Sequence, residues 1–227
     1  MNTSSSAAPS APPSAAPSPR TQVKRAANRA SHDPAVLHAI IDAAWVCHVA
    51  FRDEHGVHCI PTACWRIGEH LYIHGSNGSR MVKRLADGEC CVTITHVDGL
   101  VMARSAFNHS MNYRSAVIYG RFETVGEYGN EVSKRAAMEA FMEHLVPGRQ
   151  EEIRPGNDKE YAATTVLRIA LAEAACKTRS GPPEDDEEDM AVAAWAGVLP
   201  LREARGTPVP DAGCRIPAPD YVRRWQE

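Results

Sequence analysis

Residues 46–74 read VCHVAFRDEHGVHCIPTACWRIGEHLYIH, and this stretch decides the fold. Val46 to Phe51 and Val57 to Trp65 are β-prone runs flanking Asp53-Glu54-His55-Gly56, a hairpin turn with glycine in the left-handed position. A second turn, Ile67-Gly68-Glu69, leads into Leu71-Tyr72-Ile73-His74. Connections this short leave no room for a parallel crossover, so three consecutive strands are antiparallel. Upstream, Asp33-Pro34 is an N-cap and first-turn pair, and Leu37, Ile41, Ala44 and Trp45 predict a helix over about 34–45. Downstream, Met81, Val82 and Leu85 face one way and Arg80, Lys83 and Arg84 another, which predicts a short helix closed by Gly88. Cys90 to His96 and Met111 to Val125 read as further strands, the latter with the alternation Val117, Tyr119, Arg121.

Met138, Phe141, Met142 and Leu145 follow the i, i+3, i+4, i+7 spacing of an amphipathic helix, expected from Gly129 or Asn130 to near Val146-Pro147-Gly148. Leu167, Ile169 and Leu171 alternate with polar or small residues, so Thr164 to Lys177 reads as one final strand. Six mostly antiparallel strands with two or three separate helices predict an α+β architecture: a sheet curled into a barrel, with helices over its open sides.

The chain has 227 residues, and its first 19 contain 6 Ser, 5 Ala and 5 Pro. Such a composition cannot bury enough apolar area to offset the entropy of ordering it. Residues 1–30 are therefore expected to be a disordered tail, 31–202 one domain, and 203–227 a C-terminal extension. The tail carries Arg20, Lys24, Arg25 and Arg29 without an acid, so the body stands at −7, with 21 basic against 28 acidic side chains. Six of those acids form the run Glu184 to Asp189, expected to be a solvated loop. With no basic field, a nucleic-acid partner is not expected. No apolar run reaches the ~18 to 20 residues of a membrane span, and the N-terminus lacks a signal-peptide core, so a soluble cytoplasmic protein is expected. Seven cysteines, mostly inside apolar runs, predict reduced, buried thiols rather than a disulfide framework.

Three segments could carry chemistry. His74-Gly75-Ser76-Asn77-Gly78-Ser79-Arg80, with Lys83 one turn on, gathers backbone N–H groups, hydroxyls and cations at one helix start, as a phosphate requires. The segment does not match the Walker pattern. A plain capped surface helix is the competing reading. His109-Ser110-Met111-Asn112-Tyr113-Arg114-Ser115 carries dense hydrogen-bonding side chains in a strand otherwise apolar, against the alternative of an exposed edge. Lys177-Thr178-Arg179 places two cations at the end of the last strand, where a solvated strand end is the simpler reading. His55, His58, Cys59 and Cys64 match no zinc motif, and His58 and Cys59 must point to opposite faces, so no metal site is expected.

His58-Cys59-Ile60-Pro61, the Tyr72-Ile73-His74-Gly75 strand end with its basic helix, Asn112-Tyr113-Arg114-Ser115 before Gly120, and Trp195-Ala196-Gly197-Val198-Leu199-Pro200 resemble a known family. It is that of the pyridoxamine 5'-phosphate oxidase-like flavin-binding split barrels, and more narrowly the nitroimidazole-resistance-type flavoproteins. The resemblance covers about Asp33 to Leu201. It implies a six-stranded split β-barrel and a homodimer with two flavin sites at the interface. FMN is the expected ligand, with FAD possible.

Carried over by residue, His74, Ser76, Ser79, Arg80 and Lys83 would hold the flavin phosphate. His58, Pro61 and Thr62 would lie along the isoalloxazine edge. Asn112, Arg114, Ser115, Lys177 and Arg179 would contribute from neighbouring strands, and Trp195 from the partner subunit. The chain lacks the Arg-Leu-x-Pro ending of the true vitamin-B6 oxidases, so oxidation of pyridoxamine phosphate is not expected. Because a flavin supplies hydride chemistry itself, no triad or paired carboxylates are needed. The resemblance implies a flavin-dependent oxidoreductase acting on a small, aromatic or nitro-containing molecule. The competing expectations are a flavin carrier or sensor without turnover, and a haem-binding variant of the barrel with His109 or His74 as axial ligand.

Overall fold

The computed structural model describes residues 15–127 and 131–226. Eleven strands and five helices follow in chain order: β1 (Ala30–Ser31), α1 (Pro34–Asp42), β2 (Val46–Asp53), β3 (Gly56–Ala63), β4 (Trp65–Ile67), β5 (His70–Ser76), α2 (Arg80–Leu85), β6 (Glu89–Met102), β7 (Ser110–Arg121), β8 (Glu123–Thr124), α3 (Lys134–Leu145), α4 (Asp158–Ala163), β9 (Thr164–Ala170), β10 (Ala174–Arg179), β11 (Gly197–Pro200) and α5 (Asp220–Arg223). Two antiparallel sheets carry them. One has the order β1-β10-β7-β6-β2-β3, with β11 paired to β6, and the other has the order β4-β5-β9-β8. Together they form the expected split barrel.

The hairpin forms as the sequence requires: Asp53 pairs with Gly56 across Glu54-His55, and Gly56 takes φ of 119°. Alternation sends Cys47, Val49 and Phe51 of β2, Val92 and Ile94 of β6, and Ala116 and Ile118 of β7 into the barrel. Leu71 and Ile73 of β5 and Leu167 and Ile169 of β9 face them from the other sheet in the same core. Helix α1 closes one opening with Leu37, Ile40 and Ile41, and α2 lays Met81, Val82 and Leu85 against the same core. On the outer face of the smaller sheet, Trp65, Tyr72 and Val166 pack under Ala137 and Phe141 of α3 in a second cluster.

Several expectations are corrected. The single strand expected over Thr164–Lys177 is two strands in different sheets, because the chain turns at Leu171–Glu173 and crosses the split. Tyr119 donates its backbone N–H to Glu173 O within that turn. Helix α1 stops at Asp42, leaving Trp45 outside it and 40% exposed. Helix α3 starts at Lys134, where Ser133 Oγ accepts from Ala136 N at 3.2 Å. The start expected at Gly129 or Asn130 lies outside the described residues.

Residues 15–30 are not a free tail. Arg20 bridges Glu173 (Nε to Oε1, 2.8 Å) and Glu89 (Nη1 to Oε2, 3.1 Å), with its guanidinium over the Tyr119 ring. Thr21 is buried, and β1 adds to the sheet edge at β10. Arg20 holds the Glu173 carboxyl down at about 2. Proline and serine did not prevent order here, because the segment borrows the sheet's outer face instead of forming a core of its own.

Candidate functional site

The β2–β3 turn and α2 build one cluster. Asp53 ends β2 with its side chain fully buried, and its Oδ1 accepts from His55 N and from His58 Nε2, each at 2.8 Å. Arg80, the first residue of α2, places Nε 3.7 Å from Asp53 Oδ2. Burial disfavours the Asp53 charge, but the bonds from His58 and His55 and the nearby Arg80 outweigh it, holding the carboxyl below its ordinary range. The His58 ring stacks on Phe51 with centroids 5.1 Å apart. Arg84, in the next turn of α2, pairs with Glu54 in the hairpin turn.

The phosphate-type segment adjoins this cluster. Ser79 caps α2 with Oγ accepting from Val82 N at 3.4 Å, and Ser76 Oγ accepts from Gly78 N at 3.2 Å. Gly75 is needed for close approach, because a Cβ there would stand 2.7 Å from Val82 Cγ2. Asn77 ties the loop down through Nδ2 to Ala162 O and through Oδ1, which accepts from Thr165 Oγ1. Arg80 and Lys83 remain exposed on a shallow concavity with Gly78, Arg84 and Asp87. His74 turns instead toward the aromatic cluster, 4.8 Å from the Phe141 ring and 5.8 Å from Trp65 by centroids. Its Nδ1 is buried without a partner among the described residues, and burial pushes the imidazole below its ordinary pKa.

The second group of expected residues is occupied structurally. Asn112 Nδ2 donates to Gly181 O, and its Oδ1 accepts from Arg179 Nη1 at 2.6 Å. Arg179 Nη2 donates to Pro182 O. Arg114 forms a bidentate pair with Asp98 at 2.9 and 3.0 Å, which holds the Asp98 carboxyl down. Ser115 Oγ donates to Lys177 O, and Lys177 Nζ donates to Arg25 O. These polar residues of β7 and β10 therefore bind the loop after β10, the N-terminal segment, Asp98 of β6 and each other. Trp195 is 67% exposed and lies over Gly197. Pro61 is exposed and Thr62 half-buried on the edge strand β3.

The acidic run is also corrected in part. The Asp185 side chain is covered and accepts from Arg104 N at 2.7 Å and Nη1 at 2.8 Å, while Asp186 accepts from Asn108 at 3.5 Å. These bonds staple the loop to the β6–β7 turn. Among the cysteines, Cys59 and Cys214 are exposed rather than buried. No group of three or more His, Cys, Asp or Glu side chains converges as a metal site among the described residues.

Register separates the two groups of candidate residues. Cys59, beside His58, lies in the row Cys59–Ala50–Cys91–Tyr119, whereas Asn112 pairs with Gly99. Tyr119 and Asn112 stand seven positions apart on β7, roughly 23 Å along the strand at about 3.3 Å per residue. From β3 to β7 is three strand spacings, roughly 14 Å across the sheet at about 4.8 Å each. One chain thus brings His58, Asp53 and Arg80 together, and separately Asn112, Arg179 and their loop.

Sequence reading missed Asp53 because it sat within a turn signal. Asp53 shares a face with Phe51, two residues earlier, and Phe51 opposes His58, so strand alternation carried the information. Asp98, Arg104 and Asp185 gave no local signal.

A family model described as pyridoxamine 5'-phosphate oxidase matches residues 33–178. The flavocytochrome Anf3 from Azotobacter vinelandii is 40% identical, with 92% of this chain and 98% of that one covered and a TM-score of 0.86. The FAD and heme binding protein from Mycobacterium smegmatis is 34% identical, with 87% and 97% covered and a TM-score of 0.82. A structure described as a 5-nitroimidazole antibiotic resistance protein from Bacteroides thetaiotaomicron, 22% identical over 65% of this chain and 85% of that one, shares the fold at a TM-score of 0.52. No curated protein gives a significant match.

Proposed function

Because the chain belongs to the pyridoxamine 5'-phosphate oxidase family, we propose that it binds a flavin and acts as a flavin-dependent oxidoreductase on a small, aromatic or nitro-containing molecule. The observation that carries the reading is the junction of the β2–β3 turn with α2, where two exposed cations, Arg80 and Lys83, adjoin the buried Asp53–His58 pair. The flavin we propose is FAD, named for the Mycobacterium relative, over the FMN expected from sequence. A bound flavin supplies hydride and single-electron chemistry. This chain's part is to hold it: Arg80 and Lys83, with Ser76 and Ser79, meet its phosphate, and His58, Pro61 and Thr62 border its ring.

The proposed assembly is a homodimer with the flavin between copies. Asn112 and Arg179 of the larger sheet are bonded to their own loop and to each other, so the support for this assembly comes from the apolar surface of that sheet. Exposed apolar side chains at the far end of that sheet, Val97, Leu100, Met111 and Leu199, fit such a contact.

A haem alongside the flavin is the second reading, favoured by the names of the flavocytochrome and of the FAD and heme binding protein. His74 suits an axial role best among the sequence candidates, because burial keeps its ring neutral and Nδ1 lacks a partner among the described residues. His109 Nδ1 already donates to Ser105 O at 2.9 Å, and the side chain is exposed.

The test is the absorbance spectrum of the purified protein, with mass analysis of what heat releases. Flavin bands with released FAD, and turnover of a pyridine nucleotide in the presence of an acceptor panel, are expected. A Soret band adds the haem. A colourless protein that takes up no added flavin overturns the reading, and a flavin-loaded protein with no turnover from any donor returns it to a carrier or sensor.

A further inference from the structure

We propose that Asp53 is a positioning residue for the flavin site: one buried carboxylate that fixes the tautomer of His58 and the placement of Arg80. The inference rests on the flavin reading above. An ionised carboxylate only accepts hydrogen bonds. At 2.8 Å from Asp53 Oδ1, His58 Nε2 must therefore carry the proton. In the neutral form of the ring this leaves the lone pair on Nδ1, an acceptor for a ligand N–H such as the pyrimidine edge of an isoalloxazine presents. Stacking on Phe51 fixes the plane of that ring.

The second oxygen serves the other half of the site. Asp53 Oδ2 is buried with no hydrogen-bond partner among the described residues, and the nearest cation is Arg80, at 3.7 Å. A buried charge left without full pairing is costly, so the carboxylate attracts the first residue of α2 and holds its guanidinium at the turn. The second pair, Arg84 with Glu54, joins the same two elements one turn on. Asp53 thus stands between a ring-edge group and a phosphate group on separate elements, and its two oxygens set their spacing. A solvated turn aspartate would need none of this burial: here the side chain is wholly covered, and its Oδ1 also accepts from His55 N.

The experiment compares the full-length wild type with Asp53→Ala, Asp53→Asn, His58→Ala and the Asp53→Ala/His58→Ala double variant. Imidazole nitrogen NMR of the flavin-free proteins reads the His58 tautomer, and FAD titration followed by quenching of its fluorescence reads affinity. The wild type is expected to hold the proton on Nε2. Asp53→Ala is expected to lose that preference and to bind FAD at least ten-fold more weakly. Asp53→Asn keeps an acceptor but loses the charge, so it is expected to restore the tautomer and part of the affinity. In the double variant, the loss from Asp53→Ala is expected to shrink, because His58 is no longer there to be oriented. An FAD-binding wild type in which Asp53→Ala changes neither tautomer nor affinity, or in which Asp53→Asn recovers nothing, overturns the inference alone. A wild type that takes up neither FAD nor FMN overturns the flavin reading and this inference with it, whatever the NMR shows.

Discussion

Arg179 and Asn112 meet inside the end of the larger sheet, Nη1 to Oδ1 at 2.6 Å, and both are buried. No carboxylate pairs with Arg179 among the described residues, and its other bonds go to Gly181 O and Pro182 O. The guanidinium is therefore solvated by neutral oxygens of the loop it holds. Asn112→Ala leaves it short of one partner and Gly181 O short of another, a loss of about 1–3 kcal/mol. Urea unfolding of the flavin-free protein checks this, and an unchanged midpoint would mean that the loop is held by other contacts.

Arg80→Ala combined with Lys83→Ala is expected to weaken flavin binding ten-fold or more, and to lower stability through the Arg80 change alone, because Asp53 Oδ2 then loses its nearest cation. Equilibrium titration with FAD and FMN reads the effect. Equal loss for both flavins places the cations at the phosphate the two ligands share. Unchanged affinity returns α2 to a capped surface helix.

Trp65 is buried between Tyr72 and Phe141, and its Nε1 has no hydrogen-bond partner among the described residues. Trp65→Ala is expected to cost about 3–5 kcal/mol by leaving a cavity under α3. Trp65→Phe removes the unpaired N–H while keeping most of the ring, so denaturant melts should show a markedly smaller loss. Equal losses from the two variants would contradict this account of the cluster.

His74 gives stability a pH dependence of defined sign. Burial lowers its folded pKa below the ordinary 6.5, so just below that pH the unfolded chain binds more protons than the folded one. Its contribution is complete above 6.5 and declines as pH falls from there toward the folded value. His74→Phe should flatten that part of the profile, as thermal midpoints measured on either side of 6.5 will report. A wild type and variant with parallel profiles would assign the titration to another group.

Arg20→Ala should loosen the N-terminal segment. It removes the pairs to Glu173 and Glu89 that tie the start of the segment to the sheet, leaving the bond from Lys177 Nζ to Arg25 O and the pairing of β1 with β10. Limited proteolysis is expected to cut the variant between Arg20 and Arg29 sooner than the wild type, leaving the barrel intact. Acid should act similarly. Glu173 titrates at about 2 in the folded protein against 4.5 ordinarily, so the pair's stabilisation is full above 4.5 and is lost as pH falls through that window.

Local chemistry made much of the scaffold legible. Short turns at Glu54-His55 and Gly68 forced antiparallel neighbours, and Met81, Val82 and Leu85 pointed to the buried face of α2. Errors arose where distant elements decided the outcome. The segment Thr164–Arg179 alternates almost continuously, and only packing across the split shows that it serves two sheets. Residues 15–30 read as a tail by composition, although Arg20 finds carboxylate partners more than sixty residues away and Thr21 is buried.

The sequence by itself determined the strand periods, the turns, the helix faces and the cationic segment from His74 to Lys83, because each depends on residues within a few positions of one another. Tertiary structure alone decided which polar side chains stay available. Arg114 and Arg179 look equivalent to Arg80 as residue types, yet one is bound to Asp98, one is buried against Asn112, and Arg80 stays exposed at the turn beside Asp53 and His58. A side chain's charge is local, but its partner is set by register and packing between strands far apart in the chain, and that partner determines whether it remains free to meet a ligand.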